Sequence, residues 1–329
     1  MSVLHGKARR WVAAVAGLLL VQFGAHAQGT DWPQRPLRLV IPGPPGGSSD
    51  VPARIFAKGI GDVLKQSVVI ENRPGASGLI AAREVANAAP DGYTLLFTSG
   101  SAIAITTGMM ADMAEAAKKL APIGMLAYTP LAIAVSDSSP IQSLAQLISM
   151  ARDKPDALVM ANPGTYTLAH LTTELMIKRA NIPMRAIAFN SFPAELVAIK
   201  NGDAAAFIDG IGPVLAQSDG KGLRILAASS EEPLPGLERY PLMKDTIPGL
   251  TADGWFGLFA PAGVPAPVVQ RISEALALTK QDPQIASTLK GLGMYVRPDD
   301  PASFTVYVRS QTELWHGVLA ELNAPKPKN

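Results

Sequence analysis

Short apolar runs typical of β-strands alternate with longer helical segments from residue 37 onward, and this alternation constrains the fold more than any other feature. The first three runs are LRLVI, VVIEN and YTLLFTS, with the helical segments VPARIFAKGIGDVLKQ and LIAAREVANAA between them. A second series of the same kind begins at SLAQLISMARDK and ends at LRILAAS. Strands that alternate with helices predict a mostly parallel sheet with right-handed crossovers.

The two series predict two α/β lobes, each a mixed, mostly parallel sheet flanked by helices. We expect the chain to enter the second lobe near Tyr128 and to return near Trp255. Residues 30–127 and 255–329 would then form domain 1, and residues 128–254 would form domain 2. A cleft between two lobes is a preferred place for a small-molecule site.

Three helices are expected outside the two series. The segment GMMADMAEAAKKLAPIG, residues 108–124, has a helical composition. A long helix is predicted from Pro267 to about Gly291, and a last helix from about Ser303 to Leu322.

The first 27 residues have the layout of a secretory signal peptide. A basic start, MSVLHGKARR, precedes the apolar run WVAAVAGLLLVQFG and the small-residue motif AHAQ, which predicts cleavage near Ala27. The apolar run is shorter than the roughly 20 residues of a membrane span, so an anchor is the weaker alternative. The chain contains no cysteine, which excludes a lipid anchor on cysteine and any disulfide.

Charge argues against nucleic acid as a partner. Cleavage removes Lys7, Arg9 and Arg10 but no acidic residue, so the 29 basic residues fall to 26 against 27 acidic ones. A strong basic field is needed to bind nucleic acid, and this balance does not provide one. The sequence also lacks a basic amphipathic helix suited to a membrane surface.

The stretch IPGPPGGSSD, residues 41–50, connects the first predicted strand to the first predicted helix. Ser48, Ser49 or Asp50 would cap the helix, and glycine amides with the helix N-terminus can bind an anion without any lysine or arginine. A nucleotide loop is excluded because neither GxxxxGK[ST] nor GxGxxG fits. A tight, well-capped turn explains this single loop equally well.

Three more loops share the same placement and composition. RPGASG (73–78) and TSGSA (98–102) follow the next two strands, and NPGTYT (162–167) opens a helix of the second series. The carboxyl ends of parallel strands are where such sheets bind ligands. As a set, the four loops predict an anion-binding cleft.

The sequence offers little to support catalysis. His170 and His316 are the only histidines after the signal segment, neither HExxH nor GxSxG occurs, and no metal-binding spacing is present. Asp209 follows a predicted strand, where it would accept a proton from a ligand ammonium group, steer charge selectivity or cap the next helix. Glu195 is interpreted as a helix-start residue only, and Trp255 as a hinge or core residue.

Several motifs resemble the periplasmic solute-binding proteins of tripartite tricarboxylate transporters, the Bug family. They occur in the family's order over nearly all of the chain after the signal segment: WPQRPLRLVIPGPPGGSSD, VVIENRPGASG, AAPDGYTLLF, NGDAAAFID, LRILAASS and WFGLFAPAGVP. The resemblance implies a type II, Venus-flytrap fold that closes on a small carboxylate in the periplasm without catalysis, cofactor or metal. It also implies a monomer that docks on a membrane permease with a large and a small subunit.

The resemblance also assigns binding residues. It implies that one ligand carboxylate is held by the first two loops, and that the second lobe contributes a helix-start loop and an aspartate. Together with the hydroxyl-rich third loop, the candidate ligand-binding residues are Gly46, Gly47, Ser48, Ser49, Asp50, Ala76, Ser77, Gly78, Ser99, Thr165, Tyr166, Thr167 and Asp209.

The chain departs from the family pattern at two places near the expected cleft. Gly43 stands where an aromatic residue is usual, and Phe189-Asn190-Ser191 replaces Tyr-Lys-Gly. Loss of the lysine suggests a ligand with fewer negative charges than citrate.

Two other functions remain open from sequence. A ligand sensor that feeds a signalling protein would use the same closure as an uptake receptor. A hydrolase using a loop serine is the third reading, but no base is placed to activate one.

Overall fold

A computed structural model describes residues 32–47, 49–154, 157–189 and 191–324. The predicted signal peptide, Ser48 and Asn190 lie outside the described residues. All helices and strands below belong to the compact unit Arg35–Asn329.

The described residues form nine strands and eleven α-helices, with short 3₁₀ and π segments between them. The strands are β1 (Leu37–Ile41), β2 (Val68–Asn72), β3 (Thr94–Ser99), β4 (Leu120–Ser136), β5 (Val159–Asn162), β6 (Arg185–Ala188), β7 (Ala206–Gly210), β8 (Leu223–Ala228) and β9 (Asp253–Pro261). The helices are α1 (Asp50–Leu64), α2 (Leu79–Ala86), α3 (Ala111–Lys118), α4 (Leu144–Asp153), α5 (Leu168–Ala180), α6 (Phe192–Asn201), α7 (Ile211–Ala216), α8 (Met243–Thr246), α9 (Ala266–Gln281), α10 (Pro283–Gly291) and α11 (Pro301–Glu321).

Strand pairing divides the sheet into two groups that share β4. In the first strand group, β1, β2 and β3 are parallel and β9 is antiparallel to β3. In the second strand group, β5, β6 and β7 are parallel, while β7 and β8 each pair with β4 in the antiparallel sense. The mixed, mostly parallel sheets expected from the strand–helix alternation are confirmed.

Strand β4 carries the chain from one group to the other without a loop. Its first part, Leu120 to Pro130, pairs with β9, and its last part, Leu131 to Ser136, pairs with β7 and β8. Tyr128 and Trp255, the predicted crossing points, are partners in the β4–β9 register. The domain limits themselves stay a prediction.

Strand directions place the carboxyl ends of the two groups opposite each other. Because β9 is antiparallel to both β3 and β4, β3 runs in the same direction as β4. Because β7 is antiparallel to β4, it runs in the opposite direction. Both sets of strand-to-helix loops therefore face the middle of β4.

Two predicted helices differ in the structure. The long C-terminal helix is two helices, α9 and α10, because Pro283 lacks the amide hydrogen that would continue the first. Asp282 caps the second helix by accepting from the amides of Gln284 and Ile285. The segment 108–124 is helical only over α3; before it lie a π-helical turn, Ser101–Ile105, and a 3₁₀ turn, and from Leu120 the chain is in β4.

Candidate functional site

The carboxyl ends of β3 and β7 point toward each other along β4, and we call the interval between them the strand-end gap. Ser99 at the end of β3 pairs with Phe256, which pairs with Ala127 of β4. Asp209 at the end of β7 pairs with Ala132. Ala127 and Ala132 are five residue steps apart along β4, which corresponds to about 16 Å. Such a distance suits a small molecule.

A small cavity shows that the two sides approach each other directly. It is lined by Gly100 and Ser101 after β3, by Leu168 at the start of α5, and by Asp253 to Trp255 of β9. Gly100 allows this approach, because a Cβ there would lie 2.3 Å from the indole ring of Trp255. Trp255 is buried, as its core interpretation predicts.

The first loop is fixed by the carboxylate of Asp50. This buried side chain accepts from the Gly46 amide at 2.9 Å, from Arg54 at 2.8 Å and 3.0 Å, and from Asn72 Nδ2 at 3.0 Å. Chiefly through the Arg54 hydrogen bond, its pKa is lowered to about 2, although burial acts the other way. Both carboxylate oxygens of Asp50 therefore accept hydrogen bonds from the protein itself and hold the loop in place.

The amides of the first loop are mostly occupied as well. Gly47 donates to the Pro44 carbonyl at 3.1 Å, and Asp50 donates to the Gly47 carbonyl at 3.0 Å. Ser49 is the residue before α1, but its hydroxyl makes no capping bond. In this conformation the loop offers Ser49 rather than its glycine amides as a donor.

The second loop has the most unusual backbone of the described chain. Gly75, Ala76, Ser77 and Gly78 follow one another with φ values of 125°, 49°, 52° and 94°. Non-glycine residues with positive φ cost about 1–2 kcal/mol each, and such strain concentrates at functional sites. Ala76 and Ser77 are exposed, and within the described residues their amides have no acceptor. They are ready donors at the end of β2.

Three loops of the first strand group adjoin one another. A Cβ on Gly78 would lie 3.4 Å from Pro42 Cβ and 3.6 Å from Ala102 Cβ. Asn72 also donates to the Gly43 carbonyl at 2.8 Å, which ties the end of β2 to the first loop. The Ser99 hydroxyl accepts from the Ala102 amide at 3.4 Å and so shapes the third loop.

The loop before α5 contains the helix cap Thr167 and an exposed threonine, Thr165. The Thr167 hydroxyl accepts from the His170 amide at 3.2 Å and donates to the Gly164 carbonyl at 2.7 Å. Tyr166 has a φ of 59° and donates its amide to His170 Nδ1 at 3.3 Å. Burial lowers the pKa of His170, so the imidazole is neutral and acts as a structural acceptor. Thr165 is exposed beside them.

Asp209 does end β7 as predicted, and it has a neighbour that sequence reasoning missed. Its Oδ1 accepts from the Gly210 amide at 2.6 Å, and burial raises its pKa. Glu195 in the first turn of α6 is fully buried, and apart from the Asp209 carboxyl its oxygens have no hydrogen-bond partner among the described residues. Burial, and then the charge of Asp209, raise the pKa of Glu195 to about 9. The interpretation of Glu195 as a helix-start residue overlooked this pair.

Asp253 is a second residue that the sequence did not reveal. It lies on the returning strand opposite Pro130 and lines the small cavity. Its Oδ1 is buried and has no hydrogen-bond partner among the described residues, and burial raises its pKa to about 7, with Arg297 partly offsetting the effect. Its position in a GLTADGWF segment resembles an ordinary turn, so no sequence signal marked it.

The described residues contain no group of three or more side chains suited to hold a metal ion. Among the same residues, no helix has the length and apolar character of a membrane span.

Comparison with known proteins identifies the family. The family model described as "Tripartite tricarboxylate transporter family receptor" matches residues 52–324. A UPF0065 protein of Bordetella bronchiseptica is 35% identical over 280 residues, covering 85% of this chain and 83% of that protein.

Two solved structures share the fold. An R. palustris protein with adipate is 28% identical with a TM-score of 0.74, covering 91% of this chain and all of that one (100%). MatC from Rhodopseudomonas palustris with bound malate is 25% identical with a TM-score of 0.70, covering 88% and 100%. The chain belongs to the tripartite tricarboxylate transporter receptor family, whose members are solute-binding proteins rather than enzymes. The resemblance and the two-lobed periplasmic-binding-protein fold are confirmed.

Proposed function

We propose that this chain captures a small carboxylate in the strand-end gap and delivers it to a tripartite membrane transporter. The observation that carries the proposal is the opposition of the two strand ends, with the strained loop Gly75–Gly78 presenting acceptor-free amides on one side. Oriented amides bind carboxylates without a fixed cation, and charged acceptors make such bonds stronger than neutral ones.

The proposed contacts divide by strand group. On the first side they are the second loop (Ala76, Ser77 and Gly78), the first loop from Gly46 to Asp50, and Ser99. On the second side they are Thr165, Tyr166, Thr167 and Asp209. Asp50 and Thr167 would act by holding their loops, since their polar atoms already have partners.

The relatives support the chemical class of the ligand. Two structures of the same fold hold adipate and malate, which are both small carboxylates. Micromolar binding requires about −8 kcal/mol, which a few charge-assisted bonds and burial of a short carbon chain provide after ordering costs.

The place of action follows from the family and the N-terminus. We propose that residues 1–27 direct export and are cleaved near Ala27, and that the mature receptor is a periplasmic monomer. Domain 1 (30–127 and 255–329) and domain 2 (128–254) would close on the ligand and present a new surface to a permease with a large and a small subunit.

Calorimetry on ligand-stripped protein tests the binding function. Adipate, malate, succinate and citrate form the first panel. We expect at least one to bind, and Ser77→Ala to weaken it by about 1 kcal/mol through loss of one hydroxyl bond. The matched control is Ser310→Ala, an exposed serine of α11 that bonds only to its own helix. Absence of binding by every panel member, or equal affinities in Ser77→Ala and wild type, counts against the site.

A ligand sensor is the second candidate function, because it would use the same closure. Deletion of the gene separates the two. Loss of carboxylate uptake with normal ligand-induced transcription supports transport, and the reverse supports sensing.

A further inference from the structure

Glu195 is buried in a way that its own fold does not explain. Helix α6 starts just after β6 ends, so its first turn lies at the carboxyl edge of the second strand group. Glu195 in that turn has an exposed fraction of 0%, and apart from the Asp209 carboxyl its oxygens have no hydrogen-bond partner among the described residues. A buried carboxyl group whose one partner is another acid is costly, so its retention calls for a reason.

The neighbouring carboxylate of Asp209 belongs to the same edge. Among the elements packed around the pair, β5, α7 and residues 131–136 of β4 carry no charged side chain. Lys200 on α6 and Arg185 on β6 are both exposed, and neither acts on the pKa of the pair. No cation of the described chain compensates these two acids.

Two neighbouring carboxyl groups without a cation disfavour each other's ionisation. Burial raises the pKa of each, and of Glu195 more strongly. The pair therefore holds one proton at pH 7. A positively charged group bound beside the pair would favour its fully ionised state, so the pair would lose that proton.

The surroundings leave room for such a group. Asp209 is only half buried, and a Cβ on the adjoining Gly210 would meet no atom within 4 Å. The negative charge of the pair would repel a second ligand carboxylate at this place and would attract an ammonium group.

We propose that the Glu195–Asp209 pair recognises an ammonium group on the carboxylate ligand and loses its shared proton to solvent when that group binds. The inference rests on the proposed function and specifies its ligand: a carboxylate that binds its acid group at the first strand group and its ammonium group at the second.

The test compares probes that differ at one end only. Calorimetry in buffers of different ionisation enthalpy measures both affinity and protons released for γ-aminobutyrate against succinate, and for ε-aminocaproate against adipate. We expect the amino-carboxylate of at least one pair to bind about tenfold more tightly than its dicarboxylate. Its binding should release roughly one proton at pH 7 and weaken as pH falls.

Glu195→Gln is the decisive variant, because the amide keeps the shape of the side chain and cannot release a proton. The proton count should fall close to zero, and the preference for the amino-carboxylate should shrink roughly tenfold. Asp203→Asn is the matched control, since Asp203 is exposed just beyond the end of the same helix. It should leave both quantities unchanged.

The outcomes separate the two proposals. Dicarboxylates that bind as tightly as the amino-carboxylates, or wild-type binding without proton release, overturn the role of the pair and leave carboxylate capture standing. An unchanged proton count in Glu195→Gln also overturns it. Failure of all four probes and of the wider carboxylate panel overturns both.

Discussion

The two sides of the strand-end gap offer opposite chemistry. The loops of the first strand group present amides and hydroxyls, and each acidic residue on this side has a cation near it: Asp50 pairs with Arg54 of α1, and Arg297 partly offsets the burial of Asp253. The second strand group presents the acids Glu195 and Asp209, and no cation among the described residues acts on them. The gap therefore has hydrogen-bond donors at one end of β4 and acids at the other. A ligand whose two ends differ should bind in one orientation.

The largest expected effect concerns the acidic side. Because the folded pKa of Glu195 is raised from 4.5 to about 9, folding takes up a proton between these values. The free energy of unfolding should therefore fall as pH rises through this window, by up to about 1.4 kcal/mol per pH unit. Glu195→Gln should remove most of this slope and stabilise the protein at pH 7 by about 3 kcal/mol. Urea unfolding between pH 5 and pH 8 measures this, and equal slopes in variant and wild type would contradict it.

The first loop depends on Asp50, and its substitution should change the free energy of unfolding slightly less than Glu195→Gln does. Asp50→Asn removes the negative charge and replaces one of the two oxygens that accept from Arg54, Gly46 and Asn72, and we expect destabilisation of about 2 kcal/mol. The pKa of Asp50 is lowered from 3.8 to about 2, so its contribution is complete above pH 4 and disappears as pH falls through about 2. Asp62→Asn, an exposed pair partner of Lys58, serves as the control with little effect. If both variants lose equally little free energy of unfolding, the hydrogen bonds to Asp50 do not stabilise the first loop.

Gly100 tests the place where the two sides meet. Gly100→Ala would push the Trp255 ring aside, and overpacking of this kind costs about 1–3 kcal/mol. Gly317→Ala is the control, because no atom lies within 4 Å of a Cβ at that helix position, and it should be neutral or stabilising. Chemical denaturation of both variants decides the point. A neutral Gly100→Ala would mean that the approach of the third loop to Trp255 is not tightly packed.

The smallest effect is also the one with an unusual sign. Ala76 has a φ of 49°, so Ala76→Gly should relieve strain and stabilise the protein by about 1 kcal/mol. Ala320→Gly, at an exposed position of α11, should instead destabilise it by about 0.5–1 kcal/mol. Thermal unfolding of the two variants gives the comparison. If both variants lose stability, the second loop is not strained.

Much of the architecture could be predicted because it depends on short, local sequence patterns. Each loop of the gap follows an apolar run and contains Gly, Pro, Ser or Thr, so the strand ends were identified together with their loops. The break between α9 and α10 was also visible in Asp282-Pro283, a typical cap followed by proline, and was missed because apolar spacing continues across it.

The missed site features depend on packing between distant segments. The internal use of the Gly46 and Gly47 amides arises from loop closure around Asp50. The burial of Glu195 and Asp253 arises from helices and strands that cover them, and the same residues on an open surface would have ordinary pKa values. No local pattern distinguishes these acids from surface ones.

The shared strand β4 has a mechanical consequence. The 17-residue strand β4 is hydrogen-bonded in both groups and connects them without a loop. Any narrowing of the gap therefore has to twist or bend the strand itself. Its irregular pairings, at Pro122–Gly124, Met125–Ala127 and Ile133–Ala134, are the points at which the ladder yields most easily. If the gap narrows around a ligand, the elastic energy of a bent β4 would favour its reopening.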